Sequence, residues 1–560
     1  MRRRAVLLAL LLAAGCSLPL PSGVRTSSEV SGETQAAGLQ VLPQGPTRGM
    51  SQTGAVAGFL AAQASPDGDY AIARRFLTGD AARTWSPAAG VRVLRPDTES
   101  LKFLPQDPSV RVQLTSIGDV DTAGHFAPAT RVVRDFYGVT KVADGWRIST
   151  VPKGVGLQLS QVDLKRTFTA TNVYYVAPRL PGVGSVRHLA PDRVFLASGK
   201  GVDPEVLVRR ALQAPSEALA GAVDPVLQGI SATSVNRSRA GLVTVTLSED
   251  ANGLGADDLV DLSARLVWTL RADRLFTGLT LRTARGILRP PGASEVQPST
   301  SWQDYDPEGL GTDPAYYFVS GKRLRANGTT LKASPLTQPG PLGIDVDEVA
   351  VSPRGERIAT LHPRGKEVEI DLGSAKDSRV ATGPRRVGLS SPTWGSGEGG
   401  LWLLQRHSRV VRLDAAGVLR EVPLRGRPEG ALTSLALSRD GVRAALVIGH
   451  RAYVGKVVWR AGTPAVEDLA PLLTGPGAAI QVVWSTSTEL VVLQPDQPQA
   501  AIRVAVDGSA TVAVLTGQLQ PQRIAAAGTQ LLVQSNGALF SVAQGITQAQ
   551  RSGTAAAFPG

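Results

Sequence analysis

Few residues in this chain are of types that carry catalysis or metal binding. Five histidines, His125, His188, His362, His407 and His450, stand singly, none three or four residues from another. No helical pair is therefore available to hold a metal, and no H-E-x-x-H occurs. Each reads as a turn or surface histidine. Neither a G-x-S-x-G nucleophile elbow nor a G-x-x-x-x-G-K phosphate loop is present. Gly395-Ser396-Gly397-Glu398-Gly399-Gly400 matches the letters of G-x-G-x-x-G, but it separates two strand-like runs with no helix behind it. A hairpin is expected there, not a phosphate cradle. Asp345 and Asp347 would share one face of a strand and could touch calcium, yet the other ligands of a loop site are missing. They are expected on a solvated strand edge. Glu367, Glu369 and Asp371 alternate, which reads as the polar face of a half-buried strand. No catalytic, cofactor-binding or metal-ligating residue is assigned, no cofactor is expected, and the chain is not expected to be an enzyme.

The remaining reactive group is one thiol. Arg2, Arg3 and Arg4 precede an apolar run, Ala5 to Ala14, that is too short to span a bilayer and has the size of a signal-peptide core. Ala13-Ala14-Gly15-Cys16 follows, and Cys16 is the only cysteine. This resembles a bacterial lipobox, with Ala13 where the usual leucine stands and Leu12 one place earlier. The resemblance implies cleavage between Gly15 and Cys16 and lipidation of Cys16, as an N-palmitoyl, S-diacylglycerol cysteine. Each buried methylene contributes about 0.8 kcal/mol, so two or three acyl chains would hold the protein durably in the cell membrane, on its extracellular face. A lone cysteine also excludes a disulfide framework and any cysteine-based zinc site.

Composition fits a globular chain of about three or four domains at 560 residues. Arginine outnumbers lysine 49 to 10, and the net charge of +12 falls to +9 once the three leader arginines are removed. The cations are dispersed: residues 341–560 carry 22 basic and 18 acidic side chains. No stripe for nucleic acid emerges, and weak contact with anionic lipid or envelope polymer is the most that charge suggests. Apart from the leader, no stretch approaches 18 uninterrupted apolar residues.

The elements divide as follows. Residues 1–15 are the leader and 16–47 a Pro-, Gly- and Ser-punctuated tether with a root-mean-square reach of about 30 Å. Residues 48–168 show two helical periods around Val56–Leu60 and Ile72–Leu77, then strands over Val91–Arg95, Val110–Ile117, Thr130–Val139 and Trp146–Val151. Asp144-Gly145 joins the last two as a hairpin. This α+β order resembles the NTF2-like fold. Residues 169–288 begin with a strand at Asn172–Val176. Asp203-Pro204 then opens a helix, strands fall at Ile230–Val235, Leu242–Leu247 and Leu279–Leu281, and a helix is expected over Ala256–Leu270. That order resembles the GerMN domain, an α+β binding module. Residues 289–312 read as a linker.

Residues 313–560 repeat. Strand–turn–strand segments align at Ser352, Gly395, Ser438, Ser485 and Ala526, at spacings of 43, 43, 47 and 41 residues. Such a period is one four-stranded propeller blade. Five repeats are visible, and Tyr316–Val319 with Arg323–Arg325 would supply part of a sixth. An all-β propeller of about five to six blades is expected, with Trp394, Trp402, Trp459 and Trp484 packing in or between blades.

Lipobox, tether, NTF2-like unit, GerMN-like unit and propeller, in that order, resemble the LpqB lipoproteins of actinobacteria over nearly the whole mature chain. The resemblance implies a lipid-anchored accessory protein whose partner is the extracellular sensor region of the MtrB histidine kinase, with a role in envelope homeostasis and cell division. Only Cys16 is carried over as a functional residue. An alternative of another class is an envelope carbohydrate binder or hydrolase that uses the propeller face.

Overall fold

The computed structural model describes residues 44–95, 100–179, 187–198, 202–225, 227–310, 314–321, 323–327, 346–374, 381–396, 400–414, 416–472, 475–516, 519–543 and 546–560. The leader, Gly15, Cys16, nearly all of the tether, Asp345 and Gly397 to Gly399 lie outside them.

Ser51 starts the first helix, Gln52–Ala62, by accepting the Gly54 N–H on its hydroxyl at 3.1 Å. Val56, Phe59 and Leu60 on this helix pack with Phe76, Trp85 and Tyr137 into the first core. Helical segments Asp67–Arg74 and Gly79–Thr84 follow. The sheet beneath runs Gly145–Thr150, Phe126–Val142, Ser109–Val120, Val91–Leu94, Leu157–Ser160 in spatial order, with Ser100–Leu104 also paired to Ser109–Val120. A register shift between Ser116 and Gly118 bends the long strand. On the concave side Arg92 and Gln158 both bond Asp135 at 2.6 Å, and Tyr137 donates to Gln158 at 3.1 Å.

The middle core is built on the helix Ala256–Leu270, whose limits are those the hydrophobic period gives. Leu262, Leu266, Val267 and Leu270 pack on the strands Leu242–Leu247 and Gly278–Thr283, which are parallel. The helix Pro204–Ala211, capped by Asp203, covers the same core. A separate hairpin, Phe168–Val176 with Leu189–Ala197, joins two cores. Its Phe168 and Phe195 pack into the first, and its Val173, Tyr175 and Val194 into the middle one.

Beyond it, among the described residues, stand five four-stranded antiparallel sheets and one of three strands. Blade 1 pairs Tyr316–Ser320 with Arg323–Asn327 and, on its other side, with Thr554–Ala557 from the far end of the chain. The inner strands of blades 2 to 6 are Glu348–Val351, Leu389–Trp394, Leu432–Leu437, Gln481–Thr486 and Arg523–Ala527. Thr554–Ala557 lies between the inner strands of blades 2 and 6, so the ring closes at six blades. Closure by a distant strand removes the free edges that an open array would expose.

Residues 289–310 are docked, although their Pro, Gly and Ser content reads as a plain linker. Gln297–Pro298 pairs with Gly278–Leu279. The Trp268 indole donates to the Trp302 carbonyl at 2.9 Å, and Arg271 donates to Ser299 and Ser301 carbonyls. Tyr305 donates to Asp261 at 2.8 Å.

Candidate functional site

The propeller channel is a concave feature shared by the whole ring. A cavity of about 260 Å³ opens where the inner strands begin and is lined by residues of all six blades, among them Glu348, Ser391, Gln481 and Arg523. Arg439 and Gly560 form its floor.

Along the channel wall, side chains clasp neighbouring blades to one another. Glu348 accepts the Ser391 N–H at 2.9 Å, Thr393 the Leu437 N–H at 3.1 Å, Ser434 the Val482 N–H at 3.1 Å and Gln481 the Ile524 N–H at 2.8 Å. Four chemically different residues thus do one job: each satisfies a backbone donor on the next inner strand. Trp394 and Trp484 add the reverse link, donating their indole N–H to the Ala350 and Ala436 carbonyls of the preceding blade at 3.1 Å. Glu348 is the only acidic side chain lining the cavity among the described residues. Burial raises its pKa, an effect that Arg523 at 3.8 Å and the Ser391 N–H partly offset. A raised, solitary carboxylate that already holds a backbone N–H is a clasp. Glycoside hydrolysis needs a second carboxyl group about 5–9.5 Å away.

The other end is filled. Arg439, 5 % exposed in its side chain, donates to the Pro559 carbonyl at 3.1 Å, reaches the Ser485 and Ala526 carbonyls and lies 3.6 Å from Glu308. Glu308 comes from the docked segment and accepts both the Ser487 N–H and hydroxyl at 2.7 Å. Burial raises the Glu308 pKa against these bonds. Beside it, Asp440 and Arg443 pair at 3.1 Å with side chains 0 % and 5 % exposed, and Arg443 donates to the Pro191 carbonyl of the bridging hairpin. A smaller cavity of about 160 Å³ lies beyond Arg439, lined by His188, Asp306 and Glu308. Burial lowers the His188 pKa, and its Nδ1 is 3.4 Å from the Asp306 carbonyl.

The other histidines are dispersed. His125 is 3.5 Å from Asp192 and 3.6 Å from Asp121, where the first unit meets the bridging hairpin. Burial lowers its pKa, but the two carboxylates outweigh burial and the opposing Arg210, leaving it raised. Ser216 bonds Asp192 through its N–H and hydroxyl, so the serine faces the acid and not the imidazole. His362 is not at the surface but fully buried, 2.8 Å from the Thr360 hydroxyl and 3.2 Å from Asp371. His407 contacts the Leu432 carbonyl at 3.0 Å, and His450 is an exposed turn residue.

The alternating acids depart from expectation. Glu367 is exposed, but Glu369 and Asp371 are buried. Arg364 and Arg385 donate to Glu369 at 2.9 and 2.7 Å, which holds its carboxyl below the usual range. Period-two patterning locates the shared face; it carries no signal that cations from neighbouring strands will cover it. Asp347 is exposed, as expected, and no group of three or more metal-ligating side chains occurs among the described residues. Gly395 donates to the Gly400 carbonyl at 2.9 Å in a blade hairpin. Gly400 has φ +83°, and a Cβ there would stand 2.5 Å from the Leu413 carbonyl, so the glycine serves the turn.

Among the described residues no helix is long and apolar enough to cross a membrane. Two family models match: Lipoprotein LpqB, N-terminal domain, over residues 45–163, and Lipoprotein LpqB beta-propeller domain, over residues 326–555. Lipoprotein LpqB of Streptomyces coelicolor is 29% identical, covering 98% of this chain and 96% of its own. Lipoprotein LpqB of Thermobifida fusca is 27% identical over 93% of this chain and 92% of its own. TolB from Acinetobacter baumannii, a solved structure, aligns with 59% of this chain and 98% of its own at 10% identity and a TM-score of 0.34. With matches at both of its ends and relatives aligned along nearly all of its length, the chain belongs to the LpqB lipoprotein family.

Proposed function

We propose that this lipoprotein is an accessory binding protein, anchored through an acylated Cys16 to the extracellular face of the cell membrane. On this reading it docks the sensor region of a histidine kinase of the MtrB type. The observation that carries the reading is the asymmetry of the channel. One end is filled by Arg439 and Glu308, while the other presents a mouth lined by blade clasps. A ring braced in this way offers a rigid surface, and rigidity lowers the ordering cost of docking. A partner that binds one kinase conformation better than another shifts the signalling equilibrium by that difference in affinity. No catalytic step is assigned. The alternative, an envelope carbohydrate binder or hydrolase, has less support in its hydrolase form, since Glu348 is the single acid of the lining among the described residues and already accepts a backbone N–H. Deleting the gene is expected to change phosphorylation of the cognate response regulator, with restoration by the wild-type chain and not by Cys16→Ala. Unchanged phosphorylation in the deletion strain would overturn the kinase reading.

A further inference from the structure

The face of the first sheet that alternates with its buried positions groups cationic and apolar side chains. Three cross-strand rows share it: Lys102, Arg111 and Phe136; Ser100, Gln113 and Arg134; Thr115 and Val132. Side chains two apart on a strand point the same way, so Val132, Arg134 and Phe136 stand together on Phe126–Val142. Val132 is 58% exposed and Phe136 50% exposed, two of the largest apolar exposures in the described residues. Arg134 donates to Gln113 at 3.1 Å, which orients its guanidinium without neutralising it. No carboxylate stands at any of these face positions.

We infer that this face rests on an anionic phospholipid surface, with Phe136 and Val132 entering the headgroup boundary and Lys102, Arg111 and Arg134 facing lipid phosphate. Cationic and apolar side chains interleaved on one face suit that boundary, where each cation near the surface strengthens attraction about fivefold. Position supports the choice of partner. Gly49 donates to the Asp144 carbonyl and Met50 bridges to Gly145, so the chain enters the fold beside the hairpin that ends Phe126–Val142. Residues 17–48 separate this point from Cys16. A random coil of that length would have a root-mean-square span of about 30 Å. The inference rests on the Cys16 anchor of the proposed function, because a tethered face docks at high effective concentration and needs little affinity of its own. Contact of this kind would fix which way the propeller mouth points from the membrane.

The test uses the unacylated mature chain, residues 16–560 with Cys16→Ser, sedimented with vesicles of phosphatidylcholine alone or with about a third phosphatidylglycerol. The expected result is binding to the anionic vesicles only, weakened by salt. Arg111→Gln should lower the partition coefficient about fivefold, and Lys102→Gln, Arg111→Gln and Arg134→Gln together about a hundredfold. Phe136→Ser should also weaken it, while Val512→Ser, at an exposed apolar site on the propeller, should not. Four of the five positions are exposed and Arg111 is half-buried, and an unchanged thermal midpoint shows that each variant folds. Equal binding to both vesicles, no binding, or no response to the triple substitution overturns the inference. Acylation is read separately, as the mass at Cys16 of protein extracted from membranes, so either idea can fail alone.

Discussion

The two ends of the propeller channel use polar side chains in opposite ways. Along the channel wall, from the mouth inward, Glu348, Thr393, Ser434 and Gln481 each accept one backbone N–H from the next blade. At the filled end, Arg439, Asp440 and Arg443 are buried charges that, with the half-buried Glu308, bond across to the bridging hairpin and the docked segment. Burying ions costs several kcal/mol each unless partners surround them, so their retention where three parts of the chain meet marks a junction that must stay assembled. Single hydrogen-bond clasps close a ring; ion clusters fix its orientation on what lies beneath. The open mouth is then left as the face for a partner.

Removing a charge at the filled end should have the largest effect. Arg443→Ala leaves Asp440 buried without its cation and strips the Pro191 carbonyl of its donor. A loss of about 3–5 kcal/mol is expected in denaturant unfolding. A loss below about 1 kcal/mol would show that water replaces the guanidinium and that the junction is wetter than described.

A clasp at the mouth should matter less. Trp484→Phe keeps most of the packing but removes the donor to the Ala436 carbonyl. The expected cost is about 1–2 kcal/mol, within the range for an orphaned buried acceptor. Trp394→Phe should match it, since its indole makes the equivalent bond to Ala350.

The carboxyls at the two ends give a pH prediction. Burial raises the pKa of both Glu308 and Glu348 above the unfolded value. A folded carboxyl that holds its proton more tightly contributes stability that is full below the unfolded pKa. That contribution is lost as pH rises through the raised folded pKa. Glu308→Gln and Glu348→Gln should each flatten the decline of stability just above pH 4.5, read as thermal midpoint against pH. At neutral pH each change is expected to be within about 1 kcal/mol, because the amide oxygen still accepts the N–H bonds. A steeper decline in either variant would mean that the carboxyl gains more from its cation than it loses by burial. The smallest effect belongs to Arg523→Ala: its contact with Glu348 is long and 40 % exposed, so stability should move by less than about 0.5 kcal/mol.

Much of this architecture was legible in order and period. The hairpin repeat located five blades, because each blade spends a similar length on strand, turn and strand. The sixth is split between Tyr316–Asn327 and Thr554–Ala557, and no local pattern links segments so far apart. The helix Ala256–Leu270 was readable because its apolar stripe is continuous. The clasps were not readable, since Glu, Thr, Ser and Gln fill one structural role without sharing a residue type. Glu369 and Asp371 were misassigned to solvent because alternation shows only that residues share a face. His125 and Asp192 meet through the docking of two units, 67 positions apart in sequence, and nothing local marks them as partners.

The central claim is that the mouth of the channel is the docking surface of a membrane-held chain. The direct measurement is photocrosslinking in cells, with a photoreactive residue at Gln522 on the rim or at exposed Val206 on the middle unit. The account predicts a crosslink to the sensor region of a histidine kinase from position 522 and none from position 206. Kinase captured from 206 and not from 522, or from neither, would contradict it.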